Sequence, residues 1–155
     1  MKIEEEIKQR QFRSPKEKAF INVLYTSNWL SYRQAEVFKP FDLSMQQFNV
    51  LRILRGQHPE AATVNLLIER MLDKSSNASR IVEKLRVKGL VKRKECKKDR
   101  RRVDVVITES GLELVETVTE RLDEMMDSIS PITGDEAQQL NELLDKLRQT
   151  KTKKA

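Results

Sequence analysis

This 155-residue chain contains one cysteine, one histidine, four glycines and four prolines. A lone cysteine, Cys96, excludes an intrachain disulfide and a cysteine-based metal centre. His58 has no cysteine, second histidine or paired carboxylate near it in sequence, so neither a metal role nor a Ser-His-Asp constellation is expected. There is no Gly-rich phosphate loop, and acidic residues are spread along helix faces in the manner of solvation. The expectation is a protein that is not an enzyme and holds no cofactor or metal. No apolar run approaches the ~20 residues that cross a bilayer. The segment Met1-Lys-Ile-Glu-Glu-Glu-Ile also lacks the apolar centre of a signal peptide, so the expected location is cytoplasmic, with no membrane partner. Few glycines and prolines mean few interruptions, and long helices should dominate.

What the chain does have is charge, and its distribution is uneven. The formal net charge is +6, from 30 Lys and Arg against 24 Asp and Glu. Between Lys74 and Arg102 there are 13 basic and 3 acidic residues, a net of +10, which leaves −4 for the remainder. One segment therefore holds the positive field that would attract a polyanion. Apolar residues are 38% of the chain, so a small core with long amphipathic helices implies that a second subunit buries part of the apolar surface.

Helix signals punctuate the chain. Ser14-Pro15-Lys16-Glu17 joins a capping box to a proline at the first helical position, and Pro40 stops the helix that follows, predicted over 15–38. That helix has two stripes, Phe20, Val23, Leu24, Ser27 and Leu30 on one side and Ile21, Tyr25, Trp29 and Tyr32 on the other. A surface helix needs only one. Ser44 and Gln47 form a second capping box, with Leu43 and Phe48 as its hydrophobic staple. This helix ends near Gly56, and the polar loop 57–62 after it is not diagnostic. Thr63 caps a short third helix. A fourth follows the polar run Asp73-Lys-Ser-Ser-Asn77 and ends at Gly89, where a left-handed residue is required. The period then changes to two: Val103, Val105 and Ile107 form one strand, and 91–95 its antiparallel partner. Thr108 caps a long helix, Pro131 and Gly134 break it, and Thr133-Gly-Asp-Glu136 starts the last one. Residues 1–13 and 150–155 read as flexible ends, with a helix that orders on a partner as the alternative for 1–13.

Two features carry chemistry. The short third helix, the turn and the polar-headed fourth helix read as a helix-turn-helix, whose second helix meets base edges in the major groove. Its candidate contacts are Ser75, Ser76, Asn77, Ser79, Arg80 and Lys84, with asparagine suited to bidentate pairing with adenine and arginine to guanine. A plain helical hairpin would look the same. The second feature is a hairpin tip with Lys97, Lys98, Arg100, Arg101 and Arg102, which has almost nothing apolar to bury. Arginine at such a tip suits a narrow minor groove, and Asp99 is placed to orient a neighbouring arginine. A hairpin charged only for solubility is the alternative.

The order helix-turn-helix, then Asp99-Arg100-Arg101-Arg102-Val-Asp-Val-Val-Ile-Thr108-Glu-Ser-Gly111, resembles the wing and following helix of the MarR family, whose wing has Asp-x-Arg and a strand ending in Leu-Thr-x-x-Gly. Asp99, Arg101, Thr108 and Gly111 match, with Ile107 for Leu. Ser79 to Val91 is similar to the family's recognition helix. The resemblance implies a mainly α fold with a small β-hairpin wing (α+β): a single domain over 1–155, with a winged-helix DNA-binding module at 44–108. Helices at 15–38 and 112–149 would hold a homodimer.

It further implies a regulator of transcription, typically a repressor, that binds a pseudo-palindromic site on double-stranded DNA and is released in many members by a small molecule or oxidant. A cysteine in the first helix, used by peroxide-sensing members, is absent. Cys96 beside Lys97 and Lys98 reads as an incidental surface thiol or as one made reactive by those cations. Tyr25, Trp29, Tyr32 and Phe48 are dimer or core packing or, alternatively, the lining of an effector pocket. A nucleic-acid-binding module without ligand control, and a helical interaction protein whose basic hairpin meets an acidic partner, remain open.

Overall fold

A computed structural model of the chain describes residues 1–95, 103–129 and 131–149. They fall into two units, 1–122 and 123–155. The first contains α1 (Ile3–Glu6), α2 (Pro15–Phe38), a 3₁₀ turn (Lys39–Phe41), α3 (Met45–Arg55), β1 (Ala62–Thr63), α4 (Val64–Arg70), α5 (Ala78–Val87), β2 (Val91–Glu95) and β3 (Val103–Ile107). It also contains most of α6 (Glu109–Ile129); α7 (Gly134–Arg148) lies in the second unit.

The helices begin where polar side chains can satisfy their first free N–H groups. Ser14 Oγ accepts from Glu17 N at 3.1 Å with Pro15 next in line. Ser44 Oγ accepts from Gln47 N at 3.2 Å, and Gln47 Oε1 accepts in turn from Ser44 N at 2.9 Å. That reciprocal bond satisfies Gln47, a buried polar residue in α3. Thr63, Asn77 and Thr133 cap α4, α5 and α7 in the same way.

Leu51, Leu54, Leu67, Leu85, Val82, Val91 and Val105 are fully buried and form the core beneath the helix-turn-helix. Phe38 at the end of α2 meets Phe48 of α3 with ring centroids 5.2 Å apart, which fixes the entry to α3. The sheet has the order β1-β3-β2, all antiparallel. In β2 and β3, Val91 lies opposite Ile107, Arg93 opposite Val105, and Lys94 opposite Asp104. The third strand, β1, was not expected: Ala62 pairs with Val105 and Thr63 with Asp104.

A second difference concerns the N-terminus. In place of a flexible arm over 1–13, Ile3–Glu6 form a helical turn with Ile3 buried. Lys18 pairs with Glu4, and the Tyr25 hydroxyl donates to Glu6 Oε2 at 2.6 Å. The Tyr25 and Trp29 part of the second stripe of α2 thus faces α1 of its own chain, whereas Tyr32 stays exposed.

The junction after the sheet explains Thr108 and Gly111. Thr108 Oγ1 donates to Gly89 O at 2.8 Å and accepts from Gly111 N at 3.1 Å, so one hydroxyl ties the end of α5 to the start of α6. Gly89 has φ +73, the left-handed conformation expected of it. Thr108→Val keeps the shape and removes both bonds. It should cost about 1 kcal/mol, read as a fall of roughly 2–4 °C in a thermal melt. An unchanged midpoint would show that the hydroxyl only decorates the junction.

In the second unit, Thr133 and Glu136 close a capping box at the head of α7. Leu140 and Leu143 of that helix are exposed.

Candidate nucleic-acid interface

The helix α5 buries Ala78, Val82 and Leu85. At 100° per residue, Arg80, Glu83 and Val87 fall on the opposite side, flanked by Ser79 and Lys84. Ser79, Arg80, Lys84 and Val87 are exposed, and Glu83 is partly so. The turn that leads into this helix is fixed from three directions. Asn49 Oδ1 on α3 accepts from Leu72 N at 2.9 Å. Lys74 Nζ donates to the carbonyls of Ile68 and Glu69 at the end of α4, where the helix dipole favours a cation. Asp73 then gathers the two serines, accepting from Ser75 N at 2.9 Å, Ser75 Oγ at 2.6 Å and Ser76 Oγ at 2.8 Å. The Ser75 hydroxyl first, then Ser76, the Ser75 amide and Gln46, hold the Asp73 carboxyl below the usual carboxylate range.

These bonds change what the sequence-predicted residues can offer. Asn77 Oδ1 accepts from Arg80 N at 3.0 Å as the cap of α5. Bidentate pairing with adenine needs both amide atoms, so a capping Asn77 has only its amino group to give. Ser75 and Ser76 have donated their protons to Asp73 and present oxygen lone pairs. Arg80 and Lys84 make no ion pair or side-chain hydrogen bond among the described residues. They line a shallow cavity of about 430 Å³ between α3 and α5, with Ser44, Gln46, Ser76 and Asn77.

Several cations of the basic segment are already engaged. Lys88 Nζ pairs with Asp42 Oδ2 at 2.8 Å. Arg86 and Arg93 both pair with Glu83. Arg80, Lys84, Lys92 and Lys94 are left without an ion pair among the described residues. The hairpin-tip residues Cys96, Lys97, Lys98, Asp99, Arg100, Arg101 and Arg102 lie outside the described residues. What sequence reasoning missed is Asp73 as organiser and Glu83 as a charge bridge. The Asp-x-Ser spacing is an Asx-turn signal that could have revealed the first.

The four aromatic residues considered for an effector pocket are not brought together. Phe48 is buried against Phe38, and Tyr32 is 76% exposed. Tyr25 and Trp29 share a cavity of about 470 Å³ with Met1, Ile3, Glu6, Asn22 and Thr26. The reason is periodicity: Tyr25 and Trp29 lie on the face of α2 that α1 meets, whereas Phe48 belongs to the staple of α3.

A helix-turn-helix whose second helix runs into a three-stranded antiparallel sheet defines the winged-helix class of DNA-binding proteins. Residues 41–102 match the profile of the MarR family, and over this stretch the chain is similar to that family. The relatives it matches are HTH-type transcriptional regulators. It is 28% identical over 119 residues to the HTH-type transcriptional regulator MgrA of Staphylococcus aureus, covering 75% of this chain and 77% of MgrA. The crystal structure of a MarR transcription factor from Planctomyces limnophilus is 29% identical, with a TM-score of 0.68, and covers 87% of this chain and 98% of that one. The S. aureus MepR–DNA complex is 25% identical with a TM-score of 0.71, covering 81% and 91%. No helix among the described residues is long and apolar enough to cross a membrane.

Proposed function

We propose that this chain is a DNA-binding transcriptional repressor that binds a pseudo-palindromic operator as a cytoplasmic homodimer, with α5 in the major groove and the hairpin 91–107 as the wing. The observation that carries the reading is the outward face of α5, where Arg80 and Lys84 stand free of acidic partners among the described residues, immediately before the basic hairpin. Ser75, Ser76, Asn77 and Ser79 contact backbone or base edges at the helix head. Lys97, Lys98, Arg100, Arg101 and Arg102 supply the wing contacts, with Asp99 as their orienting group. The dimer is supported by the first stripe of α2, where Phe20, Val23, Leu24 and Leu30 are solvent-exposed in the single chain. Two such readers should span half-sites about one helical turn, ~34 Å, apart. Release by a small-molecule effector belongs to the same reading, and the cavity beside Tyr25 and Trp29 is of ligand size.

Selection of bound duplexes from a random pool tests this directly. A two-fold symmetric site is expected, and no enrichment would discard sequence-specific regulation. On the selected site, Arg80→Ala should weaken binding by roughly 1–3 kcal/mol, measured by fluorescence anisotropy. Unchanged affinity would remove α5 from the interface.

A further inference from the structure

A carboxylate in the middle of a DNA-reading face works against binding, because it repels the phosphates that dominate affinity. Glu83 occupies that position on α5. Its two oxygens are held by two arginines. Oε1 accepts from Arg86 Nη2 at 2.8 Å, and Arg86 Nε lies 3.2 Å from both Oε1 and Oε2. Oε2 pairs with Arg93 Nη2 at 3.1 Å. Arg86 is three residues along the same helix, but Arg93 is on β2, opposite Val105. Side chains alternate across a strand, so Arg93 shares the face of buried Val91 and turns toward α5, while Lys92 and Lys94 turn away. All three groups of the cluster are about half exposed, a setting in which ion pairs add little to stability. The bridge is therefore poorly explained as a support of the fold.

We propose that Glu83 is a specificity-determining charge: it withholds Arg86 and Arg93 from indiscriminate phosphate contact and fixes the wing strand relative to the recognition helix. Two guanidinium groups share one carboxylate, so the cluster presents a net of one positive charge in place of two. Sequence-independent binding scales with the number of phosphates neutralised, so each engaged arginine lowers affinity for random DNA. Contacts made by Arg80 and the helix head, which depend on orientation, are retained. The inference rests on the reading of α5 as the DNA-facing helix.

Glu83→Gln keeps the size and removes the charge, and the partly exposed position should leave folding intact. The full-length protein would be titrated by anisotropy against a random-sequence duplex and against its selected operator, between 0.1 and 1 M salt on the order of one decade. On random duplex the slope of log K against log salt should steepen by about 0.9 for each arginine released, which is roughly an additional eightfold fall in affinity per decade of rising salt. Operator affinity should change less, so that the ratio of operator to random binding falls. An unchanged random-duplex slope would overturn the inference. So would a loss confined to the operator at a single base pair, which would make Glu83 a direct base contact. Arg80→Ala, run alongside, separates the two levels. If it too leaves affinity and slope unaltered, the DNA-facing reading of α5 fails. If it weakens binding while Glu83→Gln does nothing, the bridge alone is discarded.

Discussion

Gly111→Ala should destabilise the protein by about 3 kcal/mol, lowering the thermal midpoint by roughly 6–12 °C. A Cβ at this position would lie 2.3 Å from the carbonyl oxygen of Leu90 and 2.7 Å from Ile107 Cγ1. The first of these is backbone, and it already accepts from Thr108 N at 3.1 Å, so it cannot swing aside without breaking that link between the α5–β2 turn and the start of α6. Relief must come from moving the start of α6 away from the sheet, which would also strain the Thr108 hydroxyl bridge to Gly89. Gly56→Ala is the comparison: its new methyl group would meet only ordinary contacts, at 3.5 Å from Ile53 O and 3.7 Å from Arg52 O. Circular-dichroism melts of the two variants should therefore diverge. A shift under about 2 °C for Gly111→Ala would mean that the junction yields easily and that packing does not require this glycine.

That junction also shows why parts of this fold were legible in the sequence. Capping is local chemistry: Ser44 with Gln47, Thr133 with Glu136, and Thr63 before Val64 announce helix starts within four residues, and each appears where expected. The strands at 91–95 and 103–107 were visible because one face of a hairpin is buried and the period of two follows from that. The strand β1 was not, since two residues have no period and exist as a strand only by pairing with β3. The aromatic residues failed for a related reason. Tyr25, Trp29, Tyr32 and Phe48 are similar in chemistry, but which face of which helix each occupies depends on the packing of α1 and of Phe38.

The candidate interface was legible by charge and misjudged in detail. Counting Lys74 to Arg102 marks a positive segment, yet counting treats every cation as available. Lys74 is spent on the end of α4, Lys88 on Asp42, and Arg86 and Arg93 on Glu83. The Arg86–Glu83 pair has the i,i+3 spacing of one helix, but the Lys88–Asp42 and Arg93–Glu83 pairs cross from one element to another and have no sequence spacing to betray them. Asn77 illustrates the same limit: its residue type suggests adenine, whereas its place at the head of a helix commits its oxygen to the backbone.

The proposed dimer yields the second large expected effect. Leu24 is 67% exposed, in the middle of the α2 stripe that also holds Phe20, Val23 and Leu30. Within one chain, Leu24→Asp removes little packing, so the far-ultraviolet spectrum should keep its helical signature. Across a two-fold interface it would bury unpaired charge from both subunits, with no basic residue in the stripe to compensate. The variant should sediment as a monomer at micromolar concentration. Its affinity for a two-half-site operator should then fall by about 10²–10⁴, because the second half-site is no longer engaged at high effective concentration. Affinity for a single half-site should remain within a few-fold of the parent, which separates lost avidity from a damaged reading face. A variant that still sediments as a dimer would place the subunit interface away from this stripe of α2. Tight operator binding by a monomer would remove two-fold recognition from the mechanism.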